Sequence, residues 1–138
     1  MRHVDSSKYF LNSGSFTWNA QQGSGQQVVT LSSSKSSDSL YWQVQEAFNK
    51  TSCETGKPIK CGQIVRLFHL STKKRLHSHH VKSALTQQQE VSAFGETGEH
   101  GVEGGDSSDN WRVVCSQPYW TQGTNIRLWH VATGAYLR

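Results

Sequence analysis

His69-Leu70-Ser71-Thr72-Lys73-Lys74-Arg75-Leu76-His77-Ser78-His79-His80 occurs in three unequal copies along this chain. A weaker copy, His3-Val4-Asp5-Ser6-Ser7-Lys8-Tyr9-Phe10-Leu11-Asn12-Ser13, opens it. A third, His130-Val131-Ala132-Thr133-Gly134-Ala135-Tyr136-Leu137-Arg138, closes it. The leading histidines stand 66 and then 61 residues apart. Self-similarity at such a period constrains the fold before any single residue constrains a function.

Each copy reads as strand, tight turn, strand. Ile64 to Leu70 alternates and is rich in strand formers. Ser71-Thr72-Lys73-Lys74 is a turn, and Arg75 to His79 returns. Asn125 to Val131, the turn Ala132-Thr133-Gly134 and Ala135-Tyr136-Leu137 repeat the pattern, while the first copy keeps only turn and return strand. The similarity runs further. Gly25-Gln26-Gln27-Val28-Val29-Thr30-Leu31 answers Gln87-Gln88-Gln89-Glu90-Val91-Ser92-Ala93-Phe94, and Leu40-Tyr41-Trp42-Gln43-Val44 answers Asp109-Asn110-Trp111-Arg112-Val113-Val114. A complete unit is therefore four short strands ending on a Trp strand, and Trp42 and Trp111 are expected to plug the core. No apolar stripe of helical period runs through 2–48 or 63–138. Three units of this kind predict an all-β chain, a β-trefoil. The unit is too long for a solenoid, and the copies are too few for a propeller.

The 138 residues make one domain, long enough to bury a core. With 34% hydrophobic and 17% charged residues, the remainder is rich in Ser, Thr, Gln, Asn and Gly, which suits a small β protein with many turns. No apolar run approaches a membrane span, so a soluble chain without membrane insertion is expected. Met1-Arg2-His3-Val4-Asp5 runs straight into repeat sequence without a secretory signal. The net charge of +4 is mild, and its one basic cluster, Lys73-Lys74-Arg75, falls in the turn region. A solvated turn explains that cluster better than a nucleic-acid stripe, which would interleave aromatics.

Cys61 precedes the first strand of the second unit and Cys115 follows its last. In a trefoil unit those strands lie side by side, so the pair can close a disulfide across one unit. The alternative is three reduced, buried thiols. Cys53 follows the last strand of the first unit, where its expected partner would precede a missing strand. Asn49-Lys50-Thr51 is an N-glycosylation sequon in a loop.

His77, Ser78, His79 and His80 are the candidate binding residues. On a strand His77 and His79 face one side, yet no further metal ligands stand at recognisable spacing, so no metal and no cofactor are expected. His3, His69 and His130 share one repeat position and should make one recurring structural contact. Between structure and metal lies a binding surface on which His77 and His79 offer donors to a polypeptide or glycan. No catalytic constellation emerges. The serines lie in loops, and Glu96, Glu99 and Glu103 stand in the Gly-rich segment 95–105, read as a solvated loop. The chain is therefore expected not to be an enzyme.

Pro58-Ile59-Lys60-Cys61-Gly62-Gln63-Ile64-Val65-Arg66-Leu67, Arg75-Leu76-His77-Ser78-His79-His80, Gln89-Glu90-Val91-Ser92-Ala93-Phe94-Gly95-Glu96, and Cys115 with Pro118-Tyr119-Trp120 together resemble the stromal cell-derived factor 2 family. The repeat is similar to the MIR motif that this family shares with protein O-mannosyltransferases and with the inositol trisphosphate and ryanodine receptors. The resemblance implies a β-trefoil of MIR repeats in the endoplasmic reticulum lumen. It implies a non-catalytic accessory of the luminal heat-shock chaperone and its J-domain co-chaperone, keeping unfolded polypeptide clients soluble. Other readings are the regulatory MIR domain of a protein O-mannosyltransferase, or a glycan-binding trefoil with Trp18-Asn19 and Trp120 as sugar-contact candidates.

The chain departs from that family in two ways. Leu-His-Ser-His stands at 76–79, but the first unit has Leu11-Asn12-Ser13-Gly14 and the third stops at Leu137-Arg138, which is no retrieval tetrapeptide. The single domain 1–138 divides into repeat one (1–53, lacking its first strand), repeat two (61–115) and repeat three (119–138). The last is expected to lack roughly 35 to 40 residues, leaving strand edges open.

Overall fold

The computed structural model describes residues 1–35, 37–50, 55–95 and 104–138. Nine strands follow in order: β1 (Phe10–Thr17), β2 (Gln27–Ser32), β3 (Trp42–Glu46), β4 (Ile64–His69), β5 (Lys74–Lys82), β6 (Gln89–Phe94), β7 (Trp111–Val114), β8 (Arg127–His130) and β9 (Ala135–Tyr136). Single turns of 3-10 helix, Asp38–Leu40 and Ser107–Asp109, lead into the two Trp strands β3 and β7. All pairings between strands are antiparallel. One path runs β1-β2-β6-β5-β4-β7-β8-β9, and β3 joins it by pairing with β4. Among the described residues the sheet remains open, and the architecture is the all-β, trefoil-like one that the repeats predict.

The alternation that predicted strands also selects the core. Val65 and Leu67 on β4, Trp111 and Val113 on β7, Leu11, Leu76 and Leu128 point to one face and form the buried cluster. β4 is buried on both faces because Arg66 and Phe68, on its other side, are covered as well. Arg66 donates to the carbonyls of Glu46 at 2.7 Å and Gly104 at 3.3 Å. The Arg75 guanidinium lies over the Phe68 ring, 5.3 Å from its centroid. Arg75 is thus buried on β5, a correction to the solvated-turn reading of Lys73-Lys74-Arg75. Only Lys73 occupies the turn proper, and its apolar neighbour Phe68 offers the Arg75 stem and guanidinium a surface to stack on. β5 also runs further than expected, to Lys82, because it pairs with β6 out to Gln89 across a register shift.

One arrangement recurs and joins successive units. Trp42 Nε1 donates to Leu11 O at 3.2 Å, and Trp111 Nε1 donates to Leu76 O at 2.9 Å. Each indole ring lies 4.6 Å from the imidazole of the next unit, His69 and His130 respectively. Those imidazoles use both nitrogens. His69 Nε2 reaches Ser39 O at 2.9 Å and Nδ1 reaches Thr72 Oγ1 at 2.7 Å. His130 reaches Ser108 O and Thr133 Oγ1, each at 2.7 Å. A carbonyl only accepts, so Nε2 carries the proton and the threonine hydroxyl donates to Nδ1. Burial pushes both imidazoles below their ordinary pKa, with the carbonyl bonds opposing, and so favours this neutral tautomer. The recurring histidine contact expected from the repeats is present. His3 makes a lesser version, its Nδ1 accepting from Ser6 N at 3.1 Å.

Cys61 and Cys115 form a disulfide with their Cα atoms 5.5 Å apart. It joins the approach to β4 with the exit from β7, strands already paired through Ile64↔Arg112 and Val65↔Trp111. Closing a loop across 54 residues stabilises the fold by about 4 kcal/mol in the chain-entropy account. Cys53 lies outside the described residues.

Candidate functional site

The histidine run lies on β5, paired through Leu76↔Ala93, His77↔Ser92 and Ser78↔Val91 with β6. The structure separates its four residues. His77 and Ser78 are buried, at 4% and 2% exposure, His79 is half-buried and His80 is exposed. His77 Nδ1 donates to Asp109 Oδ1 at 2.9 Å. Ser78 Oγ donates to Glu90 O at 2.7 Å. Neither of these two side chains presents a donor to solvent, and His79 Nε2 is itself buried against Glu90, so of the four candidate binding residues only His80 is exposed. His77 and His79 do share a face, their rings edge to face with centroids 5.2 Å apart.

Around this pair the fold gathers charges that sequence spacing did not reveal. Glu90 is fully buried, 3.4 Å from His79 Nε2, and accepts from Ser24 N at 3.2 Å and from the Ser24 hydroxyl. Asp109, 1% exposed, also accepts at Oδ2 from Asp106 N at 2.9 Å, closing a capping box around Ser107–Asp109. Burial lowers the Arg66 and Arg75 pKa values, and each guanidinium is held up in part by Asp109. Arg75 is lowered further by Arg66. The repeat alignment contains the signal that locates these groups. Glu90 stands where the first unit has Val28, Asp109 where it has Leu40, His77 where it has Asn12, and His79 where it has Gly14. Glu90 and Asp109 thus replace apolar residues, and such polar groups must find partners once buried.

His77, Asp106 and Asp109 place potential ligand atoms within 4.8 Å of one another. These atoms are already engaged: the His77–Asp109 hydrogen bond is direct, and Asp106 Oδ1 accepts from Ser108 N at 2.7 Å.

The remaining candidates are also placed. Trp18 Nε1 donates to Val91 O at 3.4 Å and Trp120 packs against the core, so both tryptophans are half-buried, while Asn19 is exposed. Gln27 is buried, and its Nε2 donates to Ser13 Oγ at 2.7 Å and Thr72 Oγ1 at 2.8 Å. Gln89, at the equivalent position in the second unit, meets His80 Nδ1 at 3.4 Å. Asn49 is exposed. Glu96, Glu99 and Glu103 lie outside the described residues. A groove of about 520 Å³ is lined by Gln88, Gln89, Val91, Trp129, Tyr136 and Arg138, among others. Its aromatic wall is held by an edge-to-face Trp129–Tyr136 contact and by Arg127 over the Tyr136 ring.

An antiparallel β protein whose units are joined by repeated Trp–His contacts, with one unit closed by a disulfide, is a repeat-built, trefoil-like domain. The MIR domain family matches residues 3–117, and the chain belongs to that family. Stromal cell-derived factor 2 of Mus musculus is 47% identical over 115 residues, covering 83% of this chain and 52% of the relative. The chain thus spans about half the length of that relative. The crystal structure of the SDF2-like protein from Arabidopsis thaliana superposes with a TM-score of 0.84 at 32% identity, covering 96% of this chain and 70% of that one. The S. cerevisiae protein O-mannosyltransferase Pmt1-Pmt2 complex bound to the sugar donor superposes with a TM-score of 0.81 at 32% identity. It covers 98% of this chain and 19% of that one. No helix among the described residues is long and apolar enough to cross a membrane.

Proposed function

We propose that this chain is the MIR region of a non-catalytic protein of the endoplasmic reticulum lumen. It would act there as an accessory of the luminal heat-shock chaperone and its J-domain co-chaperone in protein folding and quality control. The observation that carries this reading is the 47% identity to stromal cell-derived factor 2 over 115 residues. The Cys61–Cys115 disulfide supports an oxidising compartment. The non-catalytic part is supported by the state of the ionisable cluster. His77, Asp109 and Glu90 are buried and hold one another, backbone groups or Ser24, with none poised toward an open cleft. The division into repeats 1–53, 61–115 and 119–138 belongs to the same proposal. The test is capture of the full-length protein from a luminal extract. Recovery of the J-domain partner or an unfolded client is the expected result, and recovery of neither overturns the reading.

A second reading is favoured by one observation, the superposition on the Pmt1-Pmt2 complex. In it the chain is the regulatory MIR domain of a mannosyltransferase. Transmembrane helices encoded on the same transcript would decide for this reading, and a signal peptide with a short C-terminus against it.

A further inference from the structure

The apolar joints of this fold do not tell one unit from another. Trp42 and Trp111 donate to equivalent carbonyls, those of Leu11 and Leu76, and each ring meets the histidine of the next unit at 4.6 Å. The strand partners match too, since Leu11↔Leu31 in the β1–β2 hairpin answers Leu76↔Ala93 in the β5–β6 hairpin. On these contacts alone, nothing selects the β5–β6 hairpin for the seat beside Trp111 over the β1–β2 hairpin of the same or a second copy. Exchange of equivalent elements is the characteristic failure of chains built from repeats. What separates the two hairpins is buried charge. Where the first has Phe10, Asn12, Gly14 and Val28, the second has Arg75, His77, His79 and Glu90, and Asp109 stands where the first unit has Leu40. Arg75, Glu90 and Asp109 are each at most 1% exposed.

We propose that this buried ionic network is a registry device, which admits only the β5–β6 hairpin to its seat and so keeps units from exchanging within one copy or between two copies of the chain. Buried ions add little net stability over apolar packing of similar volume, and the first unit fills the same positions largely with apolar or uncharged side chains. What buried ions demand is one particular set of partners. Asp109 accepts from His77 Nδ1 at 2.9 Å and faces Arg66 and Arg75. Two members reach out of their own unit. Arg66 donates to Glu46 O on β3 at 2.7 Å. Glu90 accepts from Ser24 N at 3.2 Å and from the Ser24 hydroxyl, in the β1–β2 connection. Gly23 permits that approach, because a Cβ there would stand 2.6 Å from Glu90 Oε2. A β1–β2 hairpin settled in the wrong seat brings Phe10 and Asn12 in place of Arg75 and His77, and Val28 in place of Glu90. Asp109 then keeps neither of its β5 partners, and Ser24 of the neighbouring hairpin meets no carboxylate.

The test is refolding from urea of two differently tagged copies of the full-length protein, mixed over a range of concentrations. Capture on one tag and sedimentation velocity then give the fraction of exchanged dimer. Two variants install first-unit residues. Glu90→Val with His79→Gly removes the contact to Ser24, and Arg75→Phe with His77→Asn and Asp109→Leu removes the charges around β5. Trp111→Phe is the control, since it removes a buried hydrogen bond and weakens the fold without touching the network. The network variants should form about tenfold or more exchanged dimer than the parent, increasing with concentration. Trp111→Phe should refold as cleanly as the parent. Network variants that exchange no more than Trp111→Phe overturn the proposal. If the triple variant fails to fold, the Glu90→Val/His79→Gly variant decides alone. If neither folds, the network holds the fold itself and not its register, which also overturns the proposal.

Discussion

Replacing Asp109 with leucine is the sharpest test of the buried network, because the first unit already carries Leu40 at the equivalent position. The backbone and volume are therefore compatible with leucine, and what changes is electrostatic. Asp109 accepts from His77 Nδ1 and from Asp106 N, each at 2.9 Å, and faces the buried guanidinium groups of Arg66 and Arg75. Its loss leaves a buried imidazole donor without its acceptor, and two buried cations without their shared counter-charge. Breaking a buried charged pair by removing one partner costs ~3–5 kcal/mol. Because Asp106 is exposed and water can reach its amide, we expect the lower end, about 3 kcal/mol. Asp109→Asn keeps one acceptor and should cost about 1–2 kcal/mol. Adding His77→Asn to Asp109→Leu recreates the first unit's Asn12/Leu40 pair, in which the amide donates to Thr30 Oγ1 and accepts from Ser39 Oγ, and so replaces the orphaned imidazole. The double variant should therefore be more stable than the sum of the singles by roughly 1 kcal/mol or more. Urea unfolding followed by tryptophan fluorescence reads these differences as midpoint shifts at constant slope. Set against a typical domain stability of ~5–15 kcal/mol, a loss of that size is readily measured. A cost for Asp109→Leu under about 1 kcal/mol, or strict additivity with His77→Asn, refutes the reasoning.

Cys61→Ser with Cys115→Ser should destabilise the domain by about 4 kcal/mol, and the parent should lose most of that margin in reductant. Equal denaturation midpoints with and without reductant would contradict this. Trp111→Phe leaves the Leu76 carbonyl buried without its donor and should cost about 2 kcal/mol. Trp42→Phe, at a half-buried position, should cost visibly less, and parallel thermal melts compare them. For pH, the folded state lowers the His69 and His130 pKa values below the ordinary 6.5. The unfolded chain then binds more protons as pH falls below about 6.5, so their contribution is fully present above that value and declines beneath it. Urea midpoints should drop across that window, and His130→Gln should flatten the drop. A midpoint independent of pH there would show that these histidines are not held neutral.

How much of this was legible in the chain differs from residue to residue. The strand–turn–strand copies, the Trp42/Trp111 equivalence, the shared role of His69 and His130 and the Cys61–Cys115 pairing all follow from position within a repeat. A repeat makes equivalent residues meet equivalent neighbours. Arg75 is not legible as buried because a basic cluster beside a turn is normally exposed, and the Phe68 ring against which it stacks is a partner across the β4–β5 hairpin. That His77 and His79 share a face is legible, since a strand alternates with period two. Their carboxylates could not be found by spacing. Asp109 lies 32 residues from His77, and it is the packing of the second 3-10 turn against β5 that brings them together.

By itself, then, the sequence determined the class of fold and the family, because those depend on periodic pattern and on local backbone preference. Tertiary structure decided which members of the histidine run are covered. Burial is set by what the rest of the chain lays over a strand. Here that covering removes His77 and Ser78 into a charged interior, leaves His79 half-buried with its Nε2 against Glu90, and leaves His80 exposed.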